Sequence, residues 1–287
     1  MPTNVLSVDV EDYFHVEAFS DIVDRGQWSS YPCRVENNTR QLMDLLDECG
    51  VRGTFFILGW VAERYPALVR EIVARGHEPA CHSYWHRPIF RLNPQEFRDD
   101  TRLAKDVIEQ AAGARIEGYR APSFSVTARS LWAVQILVEL GFTFDSSVFP
   151  IHHDTYGMPD APRTPFQMAT PAGSLTEYPL TTFHLPRLPN LPVGGGGYLR
   201  ILPLWYTRLG LHRARSENLP LIAYIHPWEI DPLQPMLAGR WKSRLRHYTN
   251  LDKTTARLRE LLGSAPFSAF RDSRLAETVQ PAVLRAA

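Results

Sequence analysis

His82-Ser-Tyr-Trp-His86 sets two imidazoles four positions apart. That spacing puts both on one side of a helical turn, where they can share a metal ion. A third ligand should be a carboxylate, and Val8-Asp9-Val10-Glu11-Asp12 offers three. Further along stand Arg120, within Tyr119-Arg-Ala-Pro-Ser123-Phe124, then Asp145, followed by Ser-Ser-Val-Phe149, and finally His226, within Ala223-Tyr224-Ile-His-Pro-Trp228. Each alone has an ordinary structural reading as a capped turn, a surface ion pair or a satisfied core histidine. Taken together they are hard to explain as structure alone, and they suggest a metal-binding site assembled from distant parts of the chain.

The elements that must position these groups can be read from periodicity. Asp9, His82, Arg120, Asp145 and His226 each follow a short apolar or extended stretch. The carboxyl ends of parallel strands face one rim of an α/β barrel, so the five can converge there. Asn37 and Asn38 are candidate caps for a helix carrying Leu42, Leu45, Leu46 and Cys49, closed by Gly50. Further helices are expected over about 63–75, over 94–112 ahead of Gly113, after Thr127 through Val138, and late in the chain at Leu251, Leu258, Leu261 and Leu262. The strand–helix alternation argues for a parallel α/β sheet or barrel. From 149 to 203 prolines and glycines crowd in, and we expect a long irregular connection packed over a site, with a short strand near 175–180. The glycine run 194–197 lacks a following Lys-Ser/Thr pair, so it is no phosphate loop. Residues 1–277 are expected to form one domain, and 278–287 a tail.

Bulk composition narrows the class. The chain has 287 residues, with 31 basic and 31 acidic. That balance supplies no field to attract nucleic acid or an acidic membrane. No apolar run is long enough for a membrane span, and the N-terminus has no secretory pattern, so the reading is a cytoplasmic protein. Cys33, Cys49 and Cys81 are too few and too irregular for a disulfide frame. No dinucleotide fingerprint and no nucleophile elbow occur.

The ordered set of an acidic strand end, His-Ser-x-x-His, Arg-x-Pro and a late apolar-x-His resembles the NodB-type polysaccharide deacetylases of carbohydrate esterase family 4. The variant Asp9-Val-Glu-Asp-Tyr-Phe-His15, with the run from His226 to Asp231 and His247-Tyr-Thr-Asn-Leu251, is similar to members associated with bacterial exopolysaccharide clusters, which share a distinctive C-terminal region. The resemblance implies a distorted (β/α)7 barrel and removal of N-acetyl groups from N-acetylhexosamine units. It implies a divalent metal, zinc first, held by His82, His86 and either Glu11 or Asp12. Asp9 would be the base, with Arg120 pairing with it. His226 would be the acid, with Asp145 hydrogen-bonded to it. A backbone N–H near Ser123 would hold the oxyanion, Phe149 would wall the acetyl pocket, and Phe124, Tyr224 and Trp228 would meet substrate. Two further expectations stay open: hydrolysis of another small or cyclic amide on the same barrel, or a non-catalytic carbohydrate-binding relative.

Overall fold

The computed structural model describes residues 4–185, 187–282 and 284. Its strands are β1 (Asn4–Val10), β2 (Thr54–Ile57), β3 (Glu78–Cys81), β4 (Gly118–Tyr119), β5 (Phe144–Asp145), β6 (Phe166–Thr170), β7 (Gly173–Glu177), β8 (Thr182–Phe183), β9 (Leu191–Pro192), β10 (Ile222–Ile225), β11 (Phe267–Ser268) and β12 (Gln280–Ala282). The helices are α1 (Val35–Glu48), α2 (Gly59–Arg64), α3 (Pro66–Ala74), α4 (Pro94–Ala112), α5 (Trp132–Glu139), α6 (Gly197–Ile201), α7 (Leu204–Ser216), α8 (Trp241–Tyr248) and α9 (Leu251–Gly263). Among them none is long and apolar enough to cross a membrane.

The sheet runs β10-β1-β2-β3-β4-β5-β7 with every neighbouring pair parallel. The hairpin β6–β7 and then β12 extend it. The fold is thus α/β with a mostly parallel sheet, as expected. The ring is not closed by a strand ladder. Irregular backbone fills the gap between β7 and β10: Ile222 N–H donates to Thr181 Oγ1 (2.7 Å), Tyr224 N–H to Gly194 O (2.7 Å) and Gly196 N–H to Tyr224 O (2.8 Å). This explains the glycine run. A Cβ on Gly195 would lie 2.1 Å from Tyr224 O, and its φ of +123° is open to glycine.

Side chains alternate along each strand, and the two faces build two cores. Val5, Phe56, Ala80, Phe144, Ile222 and Tyr224 pack together inside the curved sheet. Leu6, Val8, Val10, Phe55, Ile57, Cys81, Tyr119, Ala223 and Ile225 face the surrounding helices. Continuing the inner alternation past the strand ends aims Asp9, His82, Arg120 and His226 at the interior rim.

Four local expectations change. Helix α1 begins at Val35, ahead of Asn37 and Asn38, because the Asp12 carboxylate caps it from outside the helix: Arg34 N–H (2.6 Å) and Val35 N–H (2.8 Å) donate to Asp12 Oδ2. The helix expected over 63–75 is two, since Pro66 cannot continue α2 and starts α3 instead. The segment from 278, expected as a tail, contributes Gln280–Ala282 as a strand on β6; residues 283 and 285–287 lie outside the described ones. Within 149–203 the connection is less irregular than expected, because it holds the β6–β7 and β8–β9 hairpins and α6.

Candidate active site

The loop after β3 carries both histidines. It is not the helical turn that the spacing suggested: Ser83 and His86 both have positive φ (62° and 50°), and the backbone bends back on itself. The result still faces the two rings together, with centroids 5.2 Å apart. The Ser83 hydroxyl accepts from His86 N–H (3.1 Å), and Asp100 on α4 accepts from Tyr84 N–H (2.8 Å), holding the loop from behind.

Glu11, His82 and His86 each offer one ligand atom, all within 4.8 Å of one another, and all three residues are buried. Ligands about 2.0–2.1 Å from a tetrahedral ion stand roughly 3.3 Å apart, so small side-chain motions would suffice. His86 Nε2 is 2.9 Å from Glu11 Oε2, yet that oxygen is buried without a hydrogen bond, as expected of a lone pair aimed at a shared centre. His82 Nδ1 contacts Arg120 O (2.8 Å). A carbonyl can only accept, so Nδ1 carries the proton and Nε2 is left as a ligand lone pair. Burial pushes the His82 imidazole down to about 4, keeping it neutral and able to ligate. Burial would raise the Glu11 carboxyl, but His86, His226 and His82 outweigh it and hold Glu11 well below the carboxylate range. The donor set suits a divalent cation such as zinc.

The structure turns Asp12 away from this cluster. Both its oxygens are spent on backbone N–H groups of Tyr13, Arg34 and Val35. Burial outweighs those bonds and pushes its carboxyl up to about 6. Of the two carboxylates left open by the sequence, Glu11 stands with the histidines.

Asp9 and Arg120 meet as anticipated. Arg120 Nη1 donates to Asp9 Oδ1 (2.7 Å) and to Ser7 Oγ (2.7 Å). The guanidinium is wholly buried, lies 4.1 Å over the Phe56 ring, and donates from Nε to Ser146 O and from Nη2 to Ser146 Oγ. Contacts on all three nitrogens hold the guanidinium in place, and it in turn orients Asp9.

His226 sits at the end of β10 with Nε2 3.3 Å from Glu11 Oε1 and 3.8 Å from Asp9 Oδ2. Its expected partner Asp145 is elsewhere. Phe144 faces the interior, so the next residue of β5 faces out, and Asp145 pairs in register with Glu177 on β7. Ser147 Oγ donates to Asp145 Oδ1 (2.5 Å), while burial and the neighbouring Asp145 push Glu177 well above the usual carboxylate range. The partner of His226 Nδ1 is Glu229, at 2.6 Å. Pro227 opens a short 3-10 turn, and the turn carries position 229 back over 226. Arg200 of α6 holds Glu229 from the other side (Nε–Oε2 3.0 Å), itself anchored on Thr249 O and Arg246 O. Burial lowers the imidazole, but Glu11, Glu229 and Asp9 overcome it and raise His226 to about 9. The sequence reading missed Glu229 and Arg200 in this role. The i, i+3 spacing after proline was the one available signal.

These groups floor a cleft of about 1010 Å³ whose walls include Ser123, Phe124, Tyr224, Trp228 and, from the 149–203 connection, His153 and Tyr156. Ser123 and Phe124 both have positive φ (53° and 50°), and Ser123 N–H has no acceptor among the described residues. Phe149, expected to wall the pocket, is fully buried behind Phe124 (ring centroids 5.6 Å) and supports that wall from the second layer.

Residues 22–144 match the polysaccharide deacetylase family, and residues 146–274 match a domain of unknown function (DUF3473). The chain is 30% identical over 98 residues to a peptidoglycan-N-acetylglucosamine deacetylase of Bacillus cereus, covering 34% of this chain and 36% of that one. It is 36% identical over 73 residues to a chitooligosaccharide deacetylase of Bradyrhizobium sp., covering 25% and 33%. The match to a bifunctional xylanase/deacetylase of Pseudobutyrivibrio xylanivorans is 32% over 91 residues, 31% of this chain and 15% of the other. The chain thus spans well under half of each of these relatives. The fold is shared with a crystal structure described as a putative polysaccharide deacetylase from Mycobacterium smegmatis, at TM-score 0.63 and 21% identity over 99% of this chain and 95% of that one.

Proposed function

We propose that this chain, whose residues 22–144 match the polysaccharide deacetylase family, is a divalent-metal-dependent hydrolase that removes N-acetyl groups from N-acetylhexosamine units of a bacterial exopolysaccharide or its precursor. The observation that carries this reading is the meeting of Glu11, His82 and His86 with the Asp9–Arg120 and His226–Glu229 pairs in one cleft. A cation at the first trio, zinc first, would polarise the acetamide carbonyl and acidify a water beside it.

The chain's own groups supply the rest. Asp9, held by Arg120, takes the proton of the attacking water. The Ser123 N–H is available to the oxygen that gains charge as the carbonyl carbon becomes tetrahedral. His226, with its Nδ1 held by Glu229, delivers its Nε2 proton to the nitrogen as the C–N bond breaks. Acetate and a free amine leave. Glu229 keeps the His226 ring oriented and stabilises its cation. Phe124, Tyr224 and Trp228 are the surfaces against which the sugar and its acetyl group pack. A cleft of this volume accommodates an oligosaccharide and is oversized for a small ring amide.

The test is acetate release from N-acetylated oligosaccharides set beside hydrolysis of cyclic amides. The reading expects acetate from the glycans, lost with a chelator and regained with a divalent cation. Ring-amide hydrolysis with no acetate release would overturn it.

A further inference from the structure

Between Asp231 and Asp252 the sequence has no acidic residue, yet it carries Arg240, Lys242, Arg244 and Arg246. The chain-wide charge balance hides this local asymmetry. Lys242, Arg244 and Arg246 have no ion-pair partner among the described residues, and Arg240 meets only the exposed Asp21, at 3.5 Å. The same stretch exposes large apolar side chains: Leu233 is 82%, Met236 65%, Trp241 69% and Leu245 61% exposed. Trp241 and Leu245, four apart on α8, share a helix face. That helix buries only His247. The stretch is nonetheless held in place. Tyr248 OH donates to Pro235 O (3.2 Å) and accepts from Leu237 N–H (2.7 Å), and Gly239 lies close against Phe19, since a Cβ there would meet its ring at 2.5 Å. Arg240, Ser243 and Arg246 also line the cleft.

We propose that segment 233–246 is an interfacial docking face for an anionic lipid bilayer, setting the mouth of the cleft against the membrane surface. Cations beside an exposed tryptophan and aliphatic side chains are the composition that binds such surfaces: the charges attract anionic headgroups and the apolar groups enter the acyl boundary. A soluble polyanionic glycan would use the arginines and could stack on Trp241, but would gain nothing from Leu233, Met236 and Leu245. A second copy offering the same face would be repelled by its charge.

The full chain should co-sediment with vesicles of phosphatidylcholine mixed with phosphatidylglycerol, not with phosphatidylcholine alone, and less so as salt rises. Lys242→Glu with Arg244→Glu should weaken this by about tenfold or more, and Met236→Ser with Leu245→Ser should weaken it too. Far-ultraviolet circular dichroism should be unchanged in both variants. Vesicle binding is read without turnover, so it stands apart from the hydrolytic reading. The proposal fails if the wild-type chain ignores the anionic vesicles. It also fails if the apolar double variant binds as well as wild type, which would mark a general polyanion site.

Discussion

At the residue scale, the site turns on which carboxylate faces the histidines and which one holds His226. Glu11 and Asp12 are neighbours with opposite jobs: one stands beside His82 and His86, the other caps α1. Glu11→Gln should therefore lose bound metal and turnover together. Asp12→Ala should keep metal while losing about 1–2 kcal/mol of stability as a cap is removed. Metal content and urea unfolding of the two variants would separate the roles, and metal loss in Asp12→Ala alone would reverse them. Glu229→Gln should lower kcat by roughly 10- to 100-fold with little change in KM. Because Glu229 helps raise His226 to about 9, the variant's high-pH limb should move to lower pH. A pH–rate profile that keeps its wild-type limbs would exclude Glu229 as the positioning residue. The identity of most of these groups was legible from residue type and order. The Glu11–Asp12 choice was not, because it depends on where the chain turns after β1, and only Asp12 is within reach of the backbone of α1.

At the element scale, period-2 alternation decides which strand-end residues converge. It was readable for Asp9, His82 and His226, whose strands are long enough to count. It was not for Asp145, because β5 is two residues long and only its packing shows that Phe144 takes the interior. The helical turn expected for His82–His86 failed for a different reason. Two residues with positive φ, at Ser83 and His86, bend that loop, and neither is a glycine that would have announced it. β4 is equally short, and Gly118 is what lets it sit against β5: a Cβ there would fall 2.1 Å from Phe144 Cζ. Gly118→Ala should thus push the two strands apart and drag Arg120 off Asp9. The expected outcome is a loss of about 1–3 kcal/mol together with most of the activity. Unaltered stability and rate would mean that this contact does not set the position of Arg120.

At the scale of the whole molecule, strand–helix alternation made the α/β class legible, while closure of the sheet was not. The ring is bridged by glycine-rich backbone at 194–196, a run that the sequence reading placed in an irregular connection and did not assign to closure of the sheet. The last strand, β12, was unreadable because its three residues are Gln280, Pro281 and Ala282, with no apolar alternation. Global stability should also carry an acid signature remote from the cleft. His77 accepts from Gly53 N–H through Nδ1 (3.2 Å), and burial pushes it from 6.5 down to about 4. Below pH 6.5 the unfolded chain binds a proton that the folded chain refuses, so this group's contribution to stability falls as pH drops from about 6.5 to about 4. His77→Gln should flatten that part of the Tm–pH curve; an unchanged slope would assign the acid lability elsewhere.

The account's central claim is that side chains from two loops, after β1 and after β3, gather around one cation. Anomalous X-ray scattering from crystals of the purified chain, collected across the zinc absorption edge, tests it most directly. One strong peak about 2.0–2.2 Å from Glu11, His82 and His86 is the predicted result. A peak on Asp12, or zinc-soaked crystals with no peak between the two histidines, would contradict it.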